Sequence, residues 1–183
     1  TYTMPDINLK RRRLLGGSVL GVAAANLTLP GLSYANPLSA SGKASMAPLK
    51  HVDAGVLNIA YYEAGPAQGP VVFLLHGYPY DIHSYIDVAE ILAKQGCRVI
   101  VPHLRGHGST RFLDVATQRT GQQSAVALDI IALMDALKID RAVMAGYDWG
   151  ARTACIIAAL WPQRCIGLLS VNGYLIQNIA RNA

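Results

Sequence analysis

An aspartate lies between two glycines in the segment MAGYDWGARTA, residues 144–154. Gly146 and Gly150 flank Asp148; the residues before it have the apolar pattern of a strand, and those after it have the pattern of a helix. Glycines at these positions leave room for a tight turn and for close packing of the helix on the strand. The sequence therefore predicts that Asp148 lies at the tip of a sharp strand-to-helix turn.

A carboxylate at such a tip can act as a nucleophile. A helix N-terminus favours negative charge, and an ionised carboxylate needs no base to remove a proton before it attacks. It suits an sp³ carbon with a strained or good leaving group, such as an epoxide or a carbon–halogen bond, and attack leaves an ester on Asp148. Water then hydrolyses the ester through an oxyanion, for which we expect the backbone N–H groups of Trp149 and Tyr78 as donors. The alternative is that Asp148 only caps the helix that follows.

The composition is that of a soluble globular protein with no nucleic-acid partner. Of 183 residues, 52% are apolar and 15% are charged, so a packed core is expected. The formal charge is +5, of which the N-terminal residues Lys10 and Arg11–Arg13, less Asp6, supply +3. The remaining surface therefore has no basic face for nucleic acid. The cysteines show no metal-binding spacing, and we expect neither metal nor cofactor; they are Cys97, Cys155 and Cys165.

The N-terminal 35 residues have the features of an export signal. Basic residues precede an apolar run of about sixteen residues, and a small-residue site follows at Ser33–Ala35. Residues 11–15 (RRRLL) fit the twin-arginine form, so we expect recognition by the twin-arginine export machinery and a periplasmic or secreted protein. The run is too short for a stable membrane span, which needs ~20 strongly apolar residues. An uncleaved N-terminal anchor is the alternative. Residues 36–45 are interpreted as a linker.

Residues 46–183 are predicted to form one α/β domain around a mostly parallel sheet. Residues 49–65 alternate apolar and polar on both sides of Asp53–Gly55, which indicates a hairpin. Strand and helix patterns then alternate: strands at 70–77, 97–104, 141–148 and 165–173, and helices at 82–96, 121–139 and 149–162. The predicted core faces are Ile86, Ala89, Ile91 and Leu92 in the first helix, and Val126, Ile130, Leu133 and Leu137 in the second.

Polar, glycine-rich segments follow three of the predicted strands, at 76–81, 103–110 and 146–150. Sites in such sheets lie beyond the carboxyl ends of the strands, so we expect these segments to meet.

At these segments the sequence resembles the α/β-hydrolase superfamily, and within it the aspartate-nucleophile branch of soluble epoxide hydrolases and haloalkane dehalogenases. The matching motifs are His76-Gly77-Tyr78-Pro79, Arg105-Gly106-His107-Gly108-Ser109 and Gly146-Tyr147-Asp148-Trp149-Gly150. The resemblance implies that the first motif is an oxyanion loop and that the last is the nucleophile elbow.

The resemblance implies a structural position for His76, which would tie down the loop before the oxyanion donor. We expect His103 and His107 to orient the loop of Arg105. His51 and His83 have the setting of surface or edge residues.

The expected chain order in this superfamily is nucleophile, acid, histidine, and no histidine follows Asp148. The resemblance therefore implies that the lid, the acid of the triad and the catalytic histidine lie beyond Ala183. We interpret the sequence as the N-terminal portion of a hydrolase.

One residue, Tyr78, favours one substrate class, and three alternatives to it stay open. The aromatic Tyr78 in the oxyanion loop favours small apolar epoxides, because the resemblance implies a polar residue there in haloalkane dehalogenases. A halo-acid dehalogenase is a further alternative, with Arg152 as an anchor for the substrate carboxylate rather than a helix-packing arginine. A ligand-binding protein without turnover is the non-enzymatic alternative.

Replacing Arg11, Arg12 and Arg13 together by lysine should block export, because the twin-arginine pathway recognises arginines and not positive charge. The measurement is the yield of periplasmic protein in fractionated cells that express the wild type or the triple variant. An unchanged yield would rule out the twin-arginine assignment.

Overall fold

The computed structural model describes residues 45–46 and 48–173, which belong to the compact unit Ala40–Ala183. The predicted export signal and nearly all of the predicted linker lie outside these residues, so both stay predictions. Within this described part, no helix has both the length and the apolar character that crossing a bilayer requires.

One mixed sheet carries the fold. Its strands are β1 (Lys50–Ala54), β2 (Leu57–Ala64), β3 (Val71–Leu75), β4 (Arg98–Pro102), β5 (Arg111–Phe112), β6 (Ala142–Tyr147) and β7 (Cys165–Val171). The strand order is β1-β2-β4-β3-β6-β7, and the short β5 pairs with β2. The pairs β3–β4, β3–β6 and β6–β7 are parallel, whereas β1 and β2 are antiparallel to their neighbours. The mostly parallel sheet and the initial hairpin are therefore as predicted.

Three helices cover the two faces of the sheet: α1 (Ile86–Lys94), α2 (Gln123–Ala136) and α3 (Trp149–Leu160). The larger core packs α2 and α3 against one face, around Phe73, Ile100 and Met144. The smaller core packs α1 and the 3₁₀ turn Ile82–Tyr85 against the other. Burial of both faces explains why β3 and β4 are continuous apolar runs rather than alternating ones.

The predicted core face is correct for α2 and partly wrong for α1. In α2, Val126, Ile130 and Leu133 are buried, and Leu137, the residue directly after the helix, packs against the core. In α1, Ile86, Ala89 and Leu92 pack against the core, but Ile91 is 56% exposed. At about 100° per residue, Ile91 lies nearly opposite Ala89 on the helix, so the two cannot both face the sheet. The strand β5 was not predicted, because two residues are too short to show a period.

A buried ion pair fixes the loop after β4 to helix α2. The Arg105 guanidinium donates to both carboxylate oxygens of Asp129, at 2.6 Å each, and also to the carbonyl oxygens of Thr120 and Ala125. Both charged side chains are less than 10% exposed. Burial raises the pKa of Asp129, and the hydrogen bonds from Arg105 oppose this shift only in part. Each charge therefore depends on its partner, because water cannot solvate it.

The variant Asp129→Asn should lower the free energy of unfolding by about 3–5 kcal/mol, since it leaves the buried Arg105 charge uncompensated. Urea denaturation of the wild type and the variant at pH 7 measures the difference. The matched control is Glu90→Gln, which breaks the exposed pair with Lys94 and should cost less than about 0.5 kcal/mol. Equal effects of the two substitutions would contradict a structural role for the buried pair.

Candidate active site

Asp148 occupies a sharp turn between β6 and α3. Its backbone angles are φ 49° and ψ −117°, in a region that L-residues rarely adopt and that costs about 1–3 kcal/mol. The Asp148 N–H donates to the carbonyl oxygen of Val171 in β7 (3.0 Å), and its carbonyl oxygen accepts from the N–H of Arg152 (3.1 Å). The neighbouring strand and the first turn of α3 therefore hold the strained residue in place.

The two glycines of the motif permit contacts that a side chain would prevent. A Cβ on Gly146 would lie 2.4 Å from the carbonyl carbon of Gly150, and a Cβ on Gly150 would lie 1.9 Å from the carbonyl oxygen of Leu75. The start of α3 thus packs directly on the end of β3. This is the close helix-on-strand packing that the sequence predicted for these glycines.

The Asp148 carboxylate faces the loop that follows β3. The backbone N–H of Tyr78 donates to Asp148 Oδ1 at 3.0 Å. A Cβ on Gly77 would lie 2.6 Å from the Asp148 Cβ, so this approach also needs a glycine. Trp149 is the first residue of α3, where backbone N–H groups have no acceptor within the helix. The structure therefore brings the Tyr78 N–H to the Asp148 carboxylate, and Trp149 is the next residue of the chain. The Asp148 side chain forms no capping hydrogen bond with α3, which argues against the capping alternative.

His76 is fully buried beneath the oxyanion loop and contacts two loops. Its Nε2 accepts from the N–H of Leu104 at 3.2 Å, so the proton is on Nδ1, which lies 3.4 Å from the carbonyl oxygen of Gly77. Burial lowers the pKa of His76 to about 4, and the neighbouring His107 adds to the shift. The neutral ring therefore links the loops after β3 and β4, which is the structural position expected for it.

His103 and His107 contact the loop of Arg105 as expected. The His107 ring packs edge-on against His76, with 4.7 Å between centroids, and its Nδ1 lies 3.3 Å from the carbonyl oxygen of Arg105. A Cβ on Gly108 would lie 2.4 Å from His103 Nδ1, so the loop rests directly on that ring. His51 and His83 are exposed, as predicted.

The guanidinium of Arg105 is bonded to α2 and to the segment before it, and none of its hydrogen bonds reaches the elbow. Arg105 therefore supports the loop rather than the carboxylate.

The guanidinium carbon of Arg152 lies 5.3 Å from the centroid of the Trp149 ring. This contact favours the packing role of Arg152 over an anchor for a substrate carboxylate.

A contact between Tyr147 and the 3₁₀ turn was not predicted from the sequence. The Tyr147 hydroxyl is hydrogen-bonded to Ser84 Oγ (2.9 Å), and the ring of Tyr147 lies against that of Tyr85. The Tyr85 hydroxyl donates to the carbonyl oxygen of Leu75, and burial raises the pKa of Tyr85. These contacts brace the residue before Asp148 against the segment that follows the oxyanion loop. No local pattern signals the contacts of Tyr147, because its partners Ser84 and Tyr85 are more than sixty residues away in the sequence.

Two cavities flank the elbow. One of about 730 Å³ lies beside Tyr147 and is also lined by Pro79, Tyr80 and Ser84. The other, of about 400 Å³, lies beside Trp149 and is lined by residues 122–124 and Ile156. The Tyr78–Pro79 peptide bond is cis. The cavities are thus lined by the two residues on either side of Asp148 in the sequence, Tyr147 and Trp149.

The described residues contain no cluster of histidine, cysteine or acidic side chains that could hold a metal ion. The three cysteines are free thiols: Cys155 is buried, and Cys97 and Cys165 are partly buried and pack against the two cores.

The sheet order, the crossover helices and the strained turn between β6 and α3 together define the α/β-hydrolase fold. The chain belongs to the alpha/beta hydrolase fold family, which matches residues 70–181. It is 33% identical over 105 residues to epoxide hydrolase B of Mycobacterium tuberculosis, covering 57% of this chain and 29% of that protein. It is 31% identical over 134 residues to epoxide hydrolase 3 of Siraitia grosvenorii, covering 73% of this chain and 41% of that protein.

Among solved structures, the chain is similar to a candidate epoxide hydrolase from Klebsiella pneumoniae. The sequence identity is 60% and the TM-score is 0.69, over 70% of this chain and 43% of that one. The chain thus spans less than half the length of each of these relatives.

Acidification should destabilise the domain through His76. The unfolded histidine binds a proton below pH 6.5 and the folded one only below about pH 4, so between these values the unfolded state binds more protons. The free energy of unfolding should fall by about 2–3 kcal/mol between pH 7 and pH 4.5 from this residue alone. Urea denaturation at both pH values measures it. His76→Gln should show a shallower dependence on pH than the wild type, and an identical dependence would contradict this assignment.

Proposed function

We propose that the protein hydrolyses small apolar epoxides through a covalent ester on Asp148. The observation that carries the proposal is the hydrogen bond from the Tyr78 N–H to Asp148 Oδ1. This bond gives the two carboxylate oxygens different environments and therefore different roles. Oδ1 is held by an oxyanion donor, and in the described part of the chain no hydrogen bond occupies Oδ2. Oδ2 is therefore the oxygen that attacks.

In the first step, a lone pair on Asp148 Oδ2 attacks a carbon of the epoxide from the side opposite the ring oxygen. A C–O ester bond forms and the strained C–O ring bond breaks. The ring oxygen leaves with the bonding electrons and takes a proton from an acid of the complete site. The strain released by ring opening compensates for the weak nucleophilicity of a carboxylate.

In the second step, water attacks the carbonyl carbon of the ester. The carbonyl oxygen is Oδ1, which becomes the oxyanion and already accepts the Tyr78 N–H; the N–H of Trp149 is the second donor. Collapse of the intermediate breaks the bond between the carbonyl carbon and Oδ2, releases the diol and restores Asp148. No histidine in the described part is hydrogen-bonded to Asp148, so we place the base that activates this water outside those residues.

Two further observations favour an epoxide over a halide. The curated relatives reported above are named epoxide hydrolases, and the residue that supplies the oxyanion N–H is aromatic. The same two steps would also displace a halide, so haloalkane dehalogenation is the second outcome that an assay must distinguish. Release of halide ion from a haloalkane, without diol formation from epoxides, would indicate that activity instead.

We further propose that the protein acts in the periplasm or outside the cell. The basic, twin-arginine-like residues and the apolar run at the N-terminus support this location.

The variant Asp148→Asn should lose epoxide hydrolysis by at least about a thousandfold, because a neutral amide oxygen cannot open the ring at a useful rate. The fold should be retained, since asparagine has nearly the same shape and also tolerates a positive φ. Diol formation by the full-length protein is the measurement, and circular dichroism checks the fold. Two variants are controls: Asp140→Asn removes an exposed carboxylate elsewhere, and Tyr78→Phe keeps the backbone N–H, so both should stay within about tenfold of the wild type.

Isotope labelling identifies the ester directly. A single turnover with excess enzyme in H₂¹⁸O should place ¹⁸O in the peptide that contains Asp148, because water attacks the carbonyl carbon of the ester. Label in the diol alone would mean direct attack by water and would refute the covalent step. Full activity of Asp148→Asn would refute the nucleophile itself. Epoxide that binds without any turnover or added mass would support the ligand-binding alternative.

A further inference from the structure

A second cavity of about 740 Å³, here called the basic groove, lies beyond the carboxyl end of β4. Its lining includes Arg105, Arg111, Phe112, Arg119 and Thr120. No acidic side chain lines it. The groove is formed by the loop after β4, the short strand β5 and the segment that leads into α2. It is separate from the two cavities that flank Asp148.

The groove has an excess of positive charge. Arg105 is neutralised by its two hydrogen bonds to Asp129. Arg111 and Arg119 form no ion pair with any described residue, and both are exposed. Two uncompensated guanidinium groups in one cavity repel each other, and a bound anion removes this repulsion. The charge therefore points to an anionic ligand.

The groove is also partly organised before any ligand binds. Phe112 is fixed by the pairing of β5 with β2, where it lies opposite Leu57, and it packs against the larger core. The guanidinium carbon of Arg119 lies 4.0 Å from the centroid of the Phe112 ring. A guanidinium donates hydrogen bonds in its own plane, so contact through its face leaves the donors for a ligand. Holding Arg119 on the ring reduces the entropy lost on binding.

The position of the groove relates it to the elbow. The last residue in the sequence that lines the groove is Gly121, and the next residue, Gln122, lines the cavity beside Trp149. The two depressions therefore lie on either side of the same short turn before α2.

We propose that the basic groove binds the oxyanion group of a small molecule, a phosphate or a carboxylate, between Arg111 and Arg119. Both guanidinium groups can donate paired N–H bonds to such a group, and Thr120 offers its hydroxyl at the same wall. The proposal does not depend on ester formation at Asp148.

Calorimetric titration of the full-length protein with inorganic phosphate and with benzoate tests the proposal. At least one of the two should bind with a Kd in the millimolar range, typical of about two charge-assisted contacts at an accessible site. Binding of phosphate alone identifies a phosphate ester as the ligand class, and binding of benzoate alone identifies a carboxylate. The double variant Arg111→Gln/Arg119→Gln should raise the Kd at least about tenfold.

Three variants separate the groove from general attraction of anions. Arg141→Gln removes an exposed arginine that precedes β6, at the opposite end of the sheet, and should change the Kd less than about twofold. Phe112→Leu keeps an apolar side chain but removes the ring beneath Arg119, and should weaken binding severalfold. Asp148→Asn should leave the Kd unchanged, so failure of the ester mechanism would not affect this result. No binding of either anion at 10 mM (roughly the weakest affinity that two such contacts give), or equal loss in the Arg141 variant, would overturn the proposal.

Discussion

The hydrogen bond between the Tyr78 N–H and the Asp148 carboxylate joins the loop after β3 to the turn after β6. It requires that these two strands be parallel neighbours, and they pair from Val72 to Leu75. It also requires that the backbones approach closely at Gly77, where a Cβ would collide with Asp148. Sheet order, strand register and glycine placement therefore all serve one contact. The chemistry proposed for the site follows from this contact, because it positions one carboxylate oxygen as acceptor and leaves the other to react.

The strained backbone of Asp148 is stable because the surrounding structure fixes it from three sides. β7 accepts its N–H, the first turn of α3 donates to its carbonyl oxygen, and the Tyr147 hydroxyl fastens the preceding residue to Ser84. A strain of about 1–3 kcal/mol persists only where the neighbouring contacts determine the conformation. The turn directs the carboxylate to the N–H of Tyr78, and the side chain forms no capping hydrogen bond with α3. Position at a helix start and use as a cap are thus different properties here.

Polar groups buried behind the site support it without contacting Asp148. The neutral His76 links the loops after β3 and β4, and the Arg105–Asp129 pair fastens the second of these loops to α2. Both arrangements are buried, so the loss of one partner leaves a polar group with neither a hydrogen bond nor ready access to solvent. The same loop continues into the basic groove, where arginines without acidic partners face solvent. The stretch of chain between β4 and α2 therefore contains Arg105, which Asp129 neutralises, and also Arg111 and Arg119, whose charges are available to a ligand.

The sequence by itself determined the features that are encoded in neighbouring residues. Hydrophobic period predicted the hairpin, the parallel sheet and the core face of α2, and the glycines around Asp148 predicted the turn, because a few adjacent residues specify each of them. The prediction that Ile91 faces the core was wrong because it followed the apolar side chain and not the helical period, which places Ile91 nearly opposite the buried Ala89. Only the tertiary structure decided that Asp129 is the partner of Arg105, that Ser84 meets Tyr147 and that Arg111 and Arg119 share a groove. These contacts depend on which distant segments the packing brings together, and no local pattern records that.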